Sequence, residues 1–447
     1  VSPQVLLFDG MADLFDSYPY RDRYSVSRRL PEAGRPHEQV LAELRELAAA
    51  EDSTWESGQC SGTIYHGDHE HYGVLADAFA LFSHSNALQR DMCPSATKFE
   101  GEILAMALDL FHADAVTDTT PAGLLTGGGT DSILHAILCY REAAYARGIE
   151  RPVIVKPETA HPAFAKAAHL FGMEVRVVSV DPATTVVDPS AVAAAVDERT
   201  AVIVGSAGNY PYGTLDPIPA LGALALERGV GLHVDACLGG YLLAFAEELG
   251  RAVTPFDFRV PGVTSISADT HKYGYGLKGT STVLFRDSAV RNRSYFFDSS
   301  WSGGKYASPG MAGSRSVGLL AATWTAMVTL GRTGYRERAE AIFAAAAALR
   351  DVVSAQPALR LVGDSPFVVA FTSDEVNIYL VNDALRAKGW RMNGLQYPDA
   401  LHLAVTGPQL QQGIPARFAA DLAEAVSYAV AHAGQPAASG AVYGGVP

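Results

Sequence analysis

Apolar positions along this chain alternate between two spacings. Short unbroken runs at Val153–Lys156, Val175–Val180, Ala201–Gly205 and Gly231–Asp235 read as strands buried on both faces. One-sided helical patterns intervene at Pro162–Phe171, Pro189–Asp197 and Pro219–Glu227. This alternation predicts a doubly wound, mostly parallel sheet whose crossover helices leave functional groups at the strands' carboxyl ends. Two further runs, Ser265–Ala268 and Ser281–Phe285, enclose a polar turn. Upstream, Val40, Leu41, Leu44 and Leu47 give the segment Glu38–Ala50 one apolar face, as in an arm that packs on something else. Val74–Phe82 and Phe99–Phe111 also read as helices. So does the segment carrying Ile133, Leu134, Ile137 and Leu138, for which Gly148 is a C-terminal cap. Beyond Arg315 a long helical region runs to about Val353. A β-α-β-α order follows, at Phe367–Thr372, Val376–Lys388, Leu401–Thr406 and Ala416–Ala433. The expected organisation is an N-terminal arm over 1–85, a large domain over 86–325 and a smaller α+β domain over 326–447.

Composition narrows the class without changing this picture. Of the 447 residues 48% are hydrophobic and 18% charged, which suits a globular chain and not a disordered one. A net charge of −14 with no basic stripe argues against a general nucleic-acid binder. No apolar run is long enough to span a bilayer and no signal peptide is visible, so a soluble, cytoplasmic protein is expected. Four dispersed cysteines, Cys60, Cys93, Cys139 and Cys237, fit reduced, packed thiols better than disulfides or a zinc site.

Candidate chemistry begins at the turn between the last two strands of the large domain, SISADTHKYGYGLKGTSTVLF. Lys272 sits there among small and aromatic residues. Desolvation disfavours an ammonium, so a lowered pKa and a free, nucleophilic amine are expected. The resident aldehyde most often held this way is that of pyridoxal 5'-phosphate (PLP). Gly127, Gly128 and Gly129 lead into a helix start, with Thr130 and Ser132 adding hydroxyls, and such a start receives a phosphate on its N–H groups. Asp235 ends a buried strand, where a carboxylate can keep a pyridine nitrogen protonated. His161 lies between a strand and a helix, placed to stack on a ring or exchange protons. His66, His69 and His71 lie near Asp68 and Glu70, but their loop lacks the i, i+4 helical spacing of a zinc site, and solvated histidines are expected.

With these residues in view, the chain resembles the sphingosine-1-phosphate lyase branch of the group II PLP-dependent decarboxylase family. The resemblance runs through RLPEAGRP, SGTIYHG, GGTDSI, AHPAFAKAAHLFG, NYPYGTLDPIP, HVDACLGGYL, SISADTHKYGYGLKGTS, YASPGMAGSR, GWRMNGLQYP and GAVYG. It implies PLP fold type I (aspartate-aminotransferase-like) and a homodimer with shared active sites. PLP is implied on Lys272, with Asp235 at the pyridine nitrogen and His161 over the ring. Gly129, Thr130 and His271 are implied phosphate contacts, with Ser314 reaching in from a partner subunit. Lys278, Tyr65, Tyr212 and Tyr443 match positions that handle the substrate's phosphate and hydroxyl. The stretch SNALQRDMC holds Asn86, but Gln89 stands where the family has histidine and Arg90 where it has proline. A neutral amide cannot carry charge as imidazole does, so this departure bears on how the substrate phosphate is recognised.

The resemblance implies retro-aldol cleavage of a phosphorylated 2-amino-3-hydroxy substrate to an aldehyde and an amino-alcohol phosphate. Tyr212, Lys272 and His161 are the candidate bases, and no metal is required. The alternatives are an amino-acid decarboxylase or biosynthetic PLP enzyme of the same family, and a non-catalytic PLP-binding protein.

Overall fold

The computed structural model describes residues 20, 22–24, 27 and 29–442. Helices α1 (His37–Glu56), α2 (His69–Leu81) and α3 (Pro94–Leu110) precede the sheet. Then come β1 (Ala122–Thr126), α4 (Gly129–Ala146), β2 (Val153–Pro157), α5 (Ala163–Phe171) and β3 (Glu174–Val178). They are followed by α6 (Pro189–Ala195), β4 (Thr200–Ser206), α7 (Ile218–Arg228) and β5 (Gly231–Asp235). Strands β6 (Ser265–Ala268) and β7 (Ser281–Phe285) complete a seven-stranded sheet of order β1-β7-β6-β5-β4-β2-β3. Strands β6, β5, β4, β2 and β3 are parallel, and β7 runs antiparallel to both β1 and β6. Helices cover the sheet, so its central strands are apolar at nearly every position: β2, β4 and β7 are buried throughout.

Parallel pairing has a direct consequence for the site. Strands β2, β4, β5 and β6 all end at one edge, and Ser206 pairs with Asp235 while Asp235 pairs with Ser267. Strand β3 leaves the sheet at Val178, earlier than the apolar run predicts. Val180 instead forms an isolated bridge with Val187.

A two-stranded hairpin, β8 (Phe296–Asp298) with β9 (Tyr306–Ser308), leads into α8 (Val317–Ser354). The expected long helical region is interrupted at Gly331, whose φ of 57° and ψ of 177° are not helical. The boundary expected after residue 325 falls within this element. The last sheet is antiparallel, β10 (Arg360–Leu361), β11 (Val368–Thr372), β13 (Ala400–Ala404) and β12 (Asn393–Leu395) in that order. It is accompanied by α9 (Ile378–Ala387) and α10 (Ile414–Ala431). The three-residue β12 contains a glycine and was not foreseen.

Buried hydrogen bonds join the two main sheets. The Tyr273 hydroxyl donates to the Val405 carbonyl at 2.6 Å, and His402 Nδ1 donates to the Pro211 carbonyl at 3.0 Å. By contrast, α1 keeps Leu41 and Leu44 about half exposed, at 47% and 53%, and buries only Trp55. Among the described residues no helix is long and apolar enough to cross a membrane. All four cysteines are free.

Candidate active site

The turn from β6 to β7 carries Asp269, Thr270, His271 and Lys272 to the carboxyl edge of the parallel strands. There a cavity of about 450 Å³ is lined by Lys272 and His271, by Asp235 from the end of β5 and by His161 from the β2–α5 connection. Gly127–Asp131, at the start of α4, complete its rim. The cavity thus brings together Lys272, His161, Asp235, Gly129, Thr130 and His271, residues scattered over more than a hundred positions of sequence.

Lys272 differs from expectation. Burial does disfavour its ammonium, but the Asp269 carboxylate 2.8 Å from Nζ outweighs that cost and holds the amine well above its ordinary range. The lowered pKa expected from desolvation alone is therefore corrected by a counter-ion absent from the sequence reading. Asp269 is fully buried and accepts from Ser281 Oγ at 2.6 Å. Desolvation raises its carboxyl, but Lys272 and His271 together draw it below its usual range. Its only sequence signal was an acid three residues before the lysine.

Both cavity histidines are shifted below the ordinary imidazole range. Burial lowers His161, against the opposing pull of Asp235. Its Nδ1 accepts from the Ala163 backbone N–H at 3.1 Å, which places the ring proton on Nε2. His271 is also lowered by burial, and its Nδ1–H donates to the Thr280 carbonyl at 2.5 Å. At the rim, Gly128 has a φ of 147° that disfavours any side chain. A Cβ on Gly129 would lie 2.8 Å from both Asp269 carboxylate oxygens and 3.0 Å from Cys237 Sγ. Glycine here keeps the first helical N–H groups open to the cavity. Ser206 Oγ also lines the cavity, buried and with no hydrogen-bond partner. An orphaned donor, an open helix start and a buried carboxylate fit an aromatic ligand that bears a phosphate and a ring nitrogen.

The other expected site residues lie outside this cavity. Tyr212 is buried and lines an adjoining groove of about 350 Å³ that shares Tyr210 with the cavity, and burial raises its phenol. Lys278 lies at the surface, yet its Nζ turns in to donate to the His271 carbonyl at 3.1 Å. It also sits 4.5 Å above the Tyr65 ring. This enclosure and the nearby Lys272 charge lower it to about 8. Asn86 Nδ2 donates to Ser314 Oγ at 2.9 Å, fastening the two segments to each other. Gln89 is exposed. Arg90 pairs with Glu100, which also takes Arg315 at 3.0 Å. Tyr443 lies outside the described residues. Asp269, Ser206, Asn209 and Tyr210 also line the cavity and had not been named as site residues; Asp269, Asn209 and Tyr210 lie inside quoted motifs, whereas nothing local marks Ser206.

The histidine-rich stretch, of which His69 and His71 lie in the first turn of α2 and not in a loop, does not converge. His69 pairs with Glu56 at 2.7 Å, whereas His66 and His71 stack with ring centroids 3.6 Å apart. Among the described residues no cluster of three or more His, Cys, Asp or Glu side chains is arranged to hold a metal. The solvated histidines expected here are corrected for that stacked pair: His66 is 4% exposed and His71 half-buried, because both pack under Tyr275 and Tyr72.

Comparison with known proteins places this geometry. Residues 19–373 match the family model described as the pyridoxal-dependent decarboxylase conserved domain. The chain is 41% identical over 398 residues to sphingosine-1-phosphate lyase of Dictyostelium discoideum, covering 89% of this chain and 74% of that protein. It is 39% identical over 420 residues to sphingosine-1-phosphate lyase 1 of Rattus norvegicus, covering 93% and 73%. Among solved structures, a sphingosine-1-phosphate lyase of Burkholderia pseudomallei superposes with a TM-score of 0.91 at 56% identity. That match covers 92% of this chain and 95% of the other. A Lactobacillus brevis glutamate decarboxylase shares the fold at 22% identity, with a TM-score of 0.78 over 92% and 97% of the two chains.

Proposed function

The chain belongs to the pyridoxal-dependent decarboxylase family, and we propose that within it the protein cleaves sphingosine-1-phosphate to a long-chain aldehyde and ethanolamine phosphate. The observation that carries this reading is the single cavity joining Lys272, Asp235, His161 and the open start of α4, together with 41% identity to a lyase of that name. Lys272 would be the amine that holds the cofactor, Asp235 would keep its ring nitrogen protonated and His161 would lie against the ring. Gly129, Thr130 and His271 would take its phosphate. PLP supplies, when bound, the electron sink for the pair released as the Cα–Cβ bond breaks.

The remaining work falls to the chain's own groups. The 3-hydroxyl of the substrate loses its proton, the carbonyl of the departing aldehyde forms, and Cα takes up a proton in exchange. Of the three candidate bases, His161 presents Nε2–H and is set to donate, and burial keeps the Tyr212 phenol neutral. Lys272 lines the cavity with the Asp269 carboxylate 2.8 Å from Nζ, which keeps the free amine protonated and makes it the group able to return a proton to Cα. Lys278, with Tyr65 and Tyr443, binds the substrate phosphate, whose binding energy aligns the bond to be broken. A homodimer is part of this reading. Support comes from exposed Phe296, Phe297 and Trp301 on the β8–β9 hairpin, at 62%, 63% and 58%, and from Ser314 lying outside its own chain's cavity. Four free cysteines agree with a cytoplasmic location.

The test is incubation of the PLP-loaded protein with sphingosine-1-phosphate and separate assays for aldehyde and ethanolamine phosphate. Both should form in equal amounts, and Lys272→Ala should reduce the rate by at least about 10³-fold. Release of carbon dioxide from amino acids, with no aldehyde, would instead make the protein a decarboxylase.

A further inference from the structure

Behind Asp235 runs a line of buried polar side chains that the proposed chemistry does not use. Asp235 Oδ1 accepts from the Cys237 backbone N–H at 3.1 Å and from Ser267 Oγ at 3.3 Å. Ser267 Oγ lies 3.1 Å from His233 Nε2, and His233 Nδ1 lies 2.7 Å from Ser265 Oγ. Ser265 Oγ in turn lies 2.6 Å from the Tyr140 hydroxyl. His233, Ser265 and Ser267 are 0% exposed, so these bonds are shut off from bulk solvent.

Counting protons gives the line a direction. An ionised carboxylate only accepts, so Ser267 spends its one hydrogen on Asp235. Ser267 Oγ must then accept from His233, which puts the imidazole proton on Nε2. His233 Nδ1 is left as an acceptor and takes the hydrogen of Ser265. The Ser265 oxygen is then supplied by Tyr140. Burial lowers His233 to about 4, so the ring is neutral and carries the single proton this assignment needs. Thr264 Oγ1, 2.6 Å from the same phenol, closes the outer end. Every hydrogen in the line points toward Asp235.

We propose that Tyr140, Ser265, His233 and Ser267 form a one-way hydrogen-bond relay that occupies one oxygen of Asp235 and keeps the other turned to the cavity for the cofactor's ring nitrogen. His233 and Ser267 are positioning residues: they act on PLP only through Asp235. Adjacent parallel strands supply the parts, with His233 and Asp235 two residues apart on β5 and Ser265 and Ser267 in register on β6. Side chains two apart share a sheet face, which is why the relay runs straight along the two strands. The inference rests on the PLP-binding reading and adds the source of Asp235's orientation.

The experiment measures PLP affinity by absorbance titration of the purified full chain, for wild type, Ser267→Ala, His233→Leu and His233→Gln. Loss of the bond to charged Asp235, direct in Ser267→Ala and through the freed Ser267 hydroxyl in His233→Leu, predicts about 10- to 100-fold weaker binding for these two variants. The amide of His233→Gln offers one acceptor and one donor in the same sense, so it should restore affinity to within about threefold. The same titration with a PLP analogue carrying CH in place of the ring nitrogen separates positioning from mere packing. With nothing for Asp235 to hold, wild type and Ser267→Ala should bind the analogue equally. Equal PLP affinity for wild type and both disruptive variants overturns the relay. So does a loss of the same size with the analogue. Failure of the lyase assay in a wild-type protein that still binds PLP would strike the proposed substrate and leave the relay standing.

Discussion

His66 is buried with both ring nitrogens unpartnered, and burial together with its stacked neighbour His71 lowers it to about 2. An unfolded histidine binds its proton near pH 6.5, so the folded state refuses a proton that the unfolded state accepts. Stability is therefore full above about pH 6.5 and declines as the pH falls below it. His66→Phe keeps the ring and removes the proton site. It should change stability little at pH 8 and raise it by about 1–2 kcal/mol at pH 5, read from denaturant unfolding at the two pH values. Equal effects at both would show that His66 does not titrate in this way. A second residue-scale expectation concerns Asp269, which raises Lys272 by facing it at 2.8 Å. Asp269→Asn removes that charge, leaves desolvation dominant and should shift reaction of Lys272 with a small aldehyde to lower pH. Trapping by reduction and mass spectrometry across pH reads this, and an unchanged profile would mean another group sets the amine.

At the scale of single elements, apolar spacing located the long helices and strands β2 to β7, β11 and β13, but it missed β1 and the short β8, β9, β10 and β12 and could not see the break in α8. The apolar face continues through Gly331, and only the backbone reverses there. A Cβ at Gly331 meets nothing within 4 Å, so the demand for glycine comes from φ alone. Gly331→Ala should cost about 1–2 kcal/mol without altering the site. A melting temperature equal to wild type would mean that the helix straightens at no cost. The loop before α3 teaches a related lesson. Arg90 is a cation next to Gln89, which stands where the family has histidine. Its guanidinium is committed to Glu100, a residue ten positions on whose side chain also serves Arg315. Which partner an arginine finds depends on neighbours that periodicity does not report.

Across the whole molecule, the small C-terminal sheet and the large sheet meet beside the candidate active site. Tyr273, next to Lys272, donates across that contact to Val405. Tyr273→Phe leaves the Val405 carbonyl without this donor inside the protein and should lower stability by about 1–3 kcal/mol, with a single cooperative unfolding transition. Two separated transitions in calorimetry would show instead that the sheets unfold independently. This contact also explains where legibility ended. Lys272, Asp235 and His161 were readable because each sits at a strand end or strand-to-strand turn and belongs to a long motif. Asp269 and Ser206 were not, since a buried acid and a lone serine look ordinary until a cavity forms around them.

The order of apolar runs, the glycines before α4 and the motif around Lys272 determined the fold class, the cofactor and the candidate residues for holding it. That is so because backbone spacing and side-chain chemistry are properties of the chain itself. Only the folded structure decided the counter-ion of Lys272, the commitment of Arg90 and the line of buried polar groups behind Asp235. Each of these depends on which polar groups are forced together out of water, and parallel pairing of β5 with β6, not proximity in sequence, makes that choice.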